Sequence, residues 1–166
     1  MTSPRVSANL EEEHEITPVG LPAGVFLWSE KVTDSEILTL VDRLERCLLA
    51  KNEFHHRDHL AVAVVYLNAG DFSSALERMR ATLTRFAAHH GVAGLYHETL
   101  TCFWLQQVEM RLDRDICLRE SVEKIQSELI DKELPFAFYS RERINSAEAR
   151  KMWLQPDLES AGTVGG

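Results

Sequence analysis

Residues 60–67 of this chain, which read Leu-Ala-Val-Ala-Val-Val-Tyr-Leu, are apolar without interruption. Several are β-branched, but apolar and polar residues do not alternate as they do in a half-buried strand, and Gly70 follows as a typical helix stop. We therefore predict a helix from about residue 54 to residue 68. A helix that is apolar on every side must be surrounded by other elements, so this helix is predicted to be central.

Helix-start patterns indicate that the neighbouring elements are helices too. Thr33 and Glu36 have the spacing of a capping box at the start of the first helix. Ser74 and Glu77 repeat that spacing at the start of the third helix, and Ser146 is a suitable N-cap for a short last helix. Two further helices are predicted between these, at about residues 95–112 and 116–132.

These elements together predict a single-domain, all-α bundle of about five to six helices over residues 21–158. Residues 21–30 are apolar but contain proline and glycine, so they are predicted to form an extended segment laid across the helices. Residues 1–20 and 159–166 are polar or small, and are predicted to be disordered tails.

Charge and composition limit the classes of function. With 18 basic and 26 acidic residues the net charge is −8, which argues against a nucleic-acid or anionic membrane surface as partner. Neither a secretory signal pattern nor an apolar run long enough to span a membrane is visible. The three cysteines lack metal-type spacing and are predicted to be reduced and buried. We expect a cytoplasmic protein whose partners are a small-molecule substrate and, at most, a second copy in a homodimer.

Two polar clusters next to apolar helix segments predict a buried site. Histidine and glutamate are costly to bury unless they are paired, hydrogen-bonded or bound to metal. His56 and His59 lie three residues apart and so share a helix face, while His97 and Glu98 begin another helix. We predict that His56, His59 and His97 bind one transition metal ion, either Fe, Cu, Zn or Ni. Glu98 is predicted to be a catalytic base, and Tyr139 a catalytic hydrogen-bond donor.

The cluster around His97 lacks a peptidase motif. His97-Glu98 looks like the start of His-Glu-x-x-His, but Thr101 stands where the second histidine is needed. Glu53 and His56 have the spacing of a di-iron ligand pair, but a second copy occurs only at Glu11 and His14 in the polar tail.

The polar clusters also carry a resemblance. The chain resembles a set of uncharacterised bacterial helical proteins of similar length over roughly residues 35–158. The segments that carry it are Phe54-x-His56-Arg57-Asp58-His59-Leu60, Tyr96-His97-Glu98-Thr99, Tyr139-Ser140-Arg141-Glu142, Ala149-Arg150 and Pro156-Asp157-Leu158. The resemblance implies a single all-α domain with a shared site, and it implies no known activity.

Three functions therefore remain open. The first is a metal-binding helical protein, a metalloenzyme acting on a small molecule. The second is a metal-free enzyme, with His59 and His97 as acid and base and Glu98 setting the tautomer, or a small-molecule binder. The third is an interaction scaffold, because residues 60–83 resemble one tetratricopeptide-type hairpin.

Overall fold

The computed structural model describes residues 32–158, and in that range it contains helices and turns but no strand. The α-helices are α1 (Asp34–Glu45), α2 (His56–Ala69), α3 (Phe72–His89), α4 (Glu98–Glu109), α5 (Leu118–Glu128), α6 (Arg141–Ile144) and α7 (Ala147–Lys151). Short 3-10 turns occupy Lys51–Glu53, Ala93–Leu95 and Leu134–Ala137. The all-α prediction is confirmed. The predicted tails and the predicted extended segment at residues 21–30 lie outside the described residues.

Helix α2 is the centre of the bundle, as its sequence predicts. Helices α1, α3, α4 and α5 all pack against it. Its Leu60, Val62, Val64 and Leu67 are at most 1% exposed. Because neighbours surround α2, no face of it needs to be polar. Within residues 32–158, no helix combines the length and the apolar character needed to cross a membrane.

The first predicted helix start is confirmed and that of α3 is wrong. Thr33 Oγ1 accepts the Glu36 N–H at 3.2 Å, and the Thr33 N–H donates to the Glu36 carboxylate at 2.8 Å. In α3 the N-cap is Asp71, whose carboxylate accepts the Ser74 N–H at 2.8 Å. The Asp71 carboxylate accepts a free N–H of the first turn and suits the positive end of the helix dipole. Helix α3 therefore begins at Phe72, two residues before the predicted cap Ser74.

The end of α3 directs the chain towards α4. Gly91 has a positive φ of 67°, which a residue with a side chain rarely adopts. The Val92 N–H donates to the Ala87 carbonyl at 2.8 Å, which closes the helix. After this turn Ala93–Leu95 packs against α3, and Leu95, Tyr96 and His97 form part of the wall of the site described below.

Residues 134–158, here called the C-terminal segment, dock on the start of α4. Thr99 Oγ1 donates to the Met152 carbonyl at 2.7 Å and accepts the Leu154 N–H at 3.1 Å. Phe103, Tyr139 and Ile144 form a small second core beneath this contact. The segment therefore fixes the position of the α4 N-terminus, and with it the residues of the second polar cluster.

Candidate functional site

A pocket of about 400 Å³ opens between α2, α3 and the start of α4. We call it the histidine pocket. Apolar side chains form most of its wall: Phe54, Leu60, Ala63, Met79, Leu83, Phe86, Ala87, Val92, Leu95, Leu100, Trp104 and Leu105. The polar part of the wall consists of Lys51, His56, His59, Tyr96, His97, Thr101 and Lys132. Its volume lies in the range of pockets that bind small organic molecules.

The three histidines predicted to form one site line this same pocket. His56 and His59 come from the first two turns of α2, and His97 immediately precedes α4. Helices α2 and α4 are packed neighbours, which brings the two polar clusters together. The two polar clusters therefore both contribute residues to the lining of one cavity.

His56 is fixed by a backbone carbonyl and an aromatic ring. Its Nε2 donates to the Leu129 carbonyl at 2.9 Å, and its ring lies edge-on to Trp104 with centroids 4.4 Å apart. Burial lowers the pKa of His56, the Leu129 carbonyl partly opposes this, and the positive charge of Lys132 lowers the pKa further. A neutral His56 with Nε2 protonated leaves Nδ1 as an acceptor.

His59 lies beside Phe54 in the pocket wall. Its ring packs on Phe54 with centroids 4.1 Å apart. Among residues 32–158 the ring nitrogens of His59 make no hydrogen bond. Burial and, to a smaller extent, the positive charge of His56 lower the pKa of His59 to about 4. His59 is therefore neutral at physiological pH and presents one donor and one acceptor nitrogen.

His97 is the N-cap of α4. Its Nδ1 accepts the Leu100 N–H at 3.3 Å, and its Nε2 donates to the Ile144 carbonyl at 2.7 Å. Burial lowers the pKa of His97, which favours this neutral tautomer. Both ring nitrogens are therefore engaged, and neither is available to a metal ion in this arrangement.

The predicted metal site receives no support from this geometry. Across residues 32–158, no three His, Cys, Asp or Glu side chains are grouped so as to hold an ion. His56 and His59 retain nitrogens that could bind metal, but His97 serves the helix. The metal ion remains a prediction.

Glu98, predicted to be the catalytic base, does not line the histidine pocket. Its carboxylate accepts from Arg80 Nε at 2.8 Å, from the Tyr96 hydroxyl at 2.6 Å and from the Cys102 thiol at 3.2 Å. Burial alone would raise the pKa of Glu98, but the hydrogen bonds from Arg80, Tyr96 and Cys102 outweigh it and lower the pKa. Glu98 is thus an ionised carboxylate that already accepts hydrogen bonds from three side chains and orients Tyr96.

Tyr139, predicted to be a catalytic donor, lies in the second core. Its hydroxyl donates to the Leu154 carbonyl at 2.9 Å, and the residue is 1% exposed. It does not line the histidine pocket. The nearby Asp157 carboxylate accepts from the Ser140 N–H at 2.8 Å and from its hydroxyl. These residues hold the C-terminal segment in place.

Tyr96, Trp104, Lys51 and Lys132 are among the pocket-wall residues that were not predicted to belong to a site. Tyr96 adjoins His97, so its place beside the cluster was a usable signal. Trp104 occurs in an ordinary helical stripe, and Lys51 and Lys132 resemble any exposed lysine, so nothing local marked them.

The chain was also compared with known proteins. No protein-family model, curated protein or solved structure matches it.

Proposed function

We propose that this protein binds a small, largely apolar organic molecule in the histidine pocket. The observation that carries the proposal is the pocket itself: about 400 Å³ of space walled mainly by apolar side chains, with polar groups at a few positions. Apolar pockets with a small number of oriented polar groups are typical of small-molecule sites.

The histidines are suited to recognition of such a molecule. Within residues 32–158 no group hydrogen-bonds to the ring nitrogens of His59, which lies in a mainly apolar wall, where a ligand hydroxyl or carbonyl would gain most from a partner. Its pKa of about 4 makes it a weak base at neutral pH. Glu98 does not contact His97 through a hydrogen bond, since His97 takes its tautomer from the Ile144 carbonyl. These features favour binding over acid–base catalysis by a His–Glu pair.

A pair of alanines on α2 allows a matched test. Ala63 is 3% exposed and lines the pocket, whereas Ala61 is fully buried and lies outside the lining. The fluorescent probe is N-phenylnaphthylamine, which is neutral and apolar. Wild type should bind it saturably, and Ala63→Leu should bind it about tenfold more weakly or worse, because the added side chain occupies ligand space.

Ala61→Leu is the control for packing. Its extra carbons enter a filled core, so it should lower the free energy of unfolding by about 1–3 kcal/mol while the folded protein still binds the probe. Ala63→Leu should cost less stability, because its side chain enters the pocket. The proposal fails if wild type does not bind the probe, or if Ala63→Leu binds it as tightly as wild type does.

A further inference from the structure

The wall of the histidine pocket is basic although the chain is acidic. The protein has 26 acidic and 18 basic residues, yet the pocket lining within residues 32–158 contains two lysines and three histidines and neither Asp nor Glu. An adjoining depression shares His56, Leu60 and Lys132 and adds Arg57 and His55, again without a carboxylate. Among residues 32–158, neither lining thus contains an acidic side chain.

The charge is located at the mouth of the pocket. Lys51, Lys132 and Leu95 are exposed lining residues, so they mark the side that opens to solvent. Lys132 acts electrostatically on His56, which places its charge near the first turn of α2. Farther in, the wall is formed by Phe54, Leu60, Met79 and other apolar side chains. The pocket therefore has a neutral, apolar interior and a positively charged entrance.

We infer that the ligand of the histidine pocket is an anionic amphiphile, whose apolar body lies inside and whose negatively charged head stays at the entrance beside Lys51 and Lys132. This inference rests on the proposed function and specifies its ligand. A charged head left at the entrance keeps much of its hydration, so it avoids the cost of burying an ion. The lysines attract it without requiring a fixed geometry.

The test compares two ligands that share a chain and differ in the head. Decanoate is anionic and decanol is neutral, and both are measured by displacement of N-phenylnaphthylamine. The variant is the double substitution Lys51→Met and Lys132→Met, which retains the unbranched apolar stems. The control is Lys151→Met, an exposed lysine of α7 outside the lining.

The double variant should bind decanoate about threefold to tenfold more weakly than wild type does, and decanol with unchanged affinity. Added salt should weaken decanoate binding in wild type and have little effect on decanol. Lys151→Met should behave as wild type.

Two results would overturn the inference and leave the proposed function standing: decanoate affinity unchanged in the double variant, or affinity for both ligands reduced equally. If neither ligand displaces the probe from wild type, or wild type does not bind the probe, the proposed function itself fails.

Discussion

His59 should make the stability of the protein depend on pH. Its pKa is lowered from an ordinary value of 6.5 to about 4, because burial and the neighbouring His56 disfavour its charged form. Below pH 6.5 the unfolded chain takes up a proton at this position that the folded protein does not. Stability should therefore fall as the pH drops through 6.5 and stop falling, for this residue, below about 4.

The expected size follows from the two pKa values. Between about pH 7 and about pH 5 His59 becomes almost fully protonated in the unfolded state and stays mostly neutral in the folded state, which costs about 2 kcal/mol. No titratable residue that lines the pocket within residues 32–158 carries a negative charge that would stabilise a charged His59. The others in this lining are Lys51, Lys132, His56, Tyr96 and His97. His56 and His97 also have lowered pKa values, so they add to the loss with the same sign.

His59→Leu isolates the contribution of His59, because leucine is apolar and cannot be protonated. Urea unfolding followed by far-ultraviolet circular dichroism should show a loss of stability between about pH 7 and about pH 5 that is smaller by about 2 kcal/mol in His59→Leu than in wild type. His89→Leu, at an exposed position near the end of α3, should lose as much as wild type does. Equal losses in wild type and His59→Leu would show that His59 does not cause this pH dependence.

Three further predictions concern the remaining site residues. Glu98→Gln should lower the free energy of unfolding by about 1–3 kcal/mol, measured in urea, because it leaves Arg80 without its charged partner. Burial, and then Glu98, raises the pKa of the Cys102 thiol to about 12, so Cys102 should react with iodoacetamide only on unfolding. Mass spectrometry should find the exposed Cys117 labelled in the folded protein. Protein purified without a His-tag should contain substoichiometric metal by elemental analysis, because His97 caps α4; a stoichiometric ion would support the predicted metal site instead.

The fold was predictable where a local sequence pattern is compatible with a single local structure. Seven of the eight residues in the apolar run 60–67 are buried and Val65 is half-buried. Thr33 with Glu36 forms the capping box that their spacing predicts. The shared pocket of His56, His59 and His97 also follows from the sequence, since histidines next to apolar helix segments face the interior.

The partners of these residues were not predictable in the same way. His56 and His97 donate to the carbonyls of Leu129 and Ile144, and every residue carries a carbonyl, so no side chain marks those acceptors. Glu98 pairs with Arg80 on a different helix, a choice that depends on how α3 packs against α4. The sequence therefore indicates which polar groups are buried. The packing of the helices determines which of them hydrogen-bond within the protein and which can still bind a ligand.

The binding of small, largely apolar molecules in the histidine pocket can be observed by nuclear magnetic resonance of protein labelled in its histidine rings. During a titration with decanoate and, separately, with decanol, at least one of the two ligands should cause saturable shifts of the His56, His59 and His97 ring signals. The ring of His89, which lies outside the pocket lining, should not shift. If both titrations leave the three pocket histidines unchanged, or shift His89 in their place, the histidine pocket does not bind these molecules.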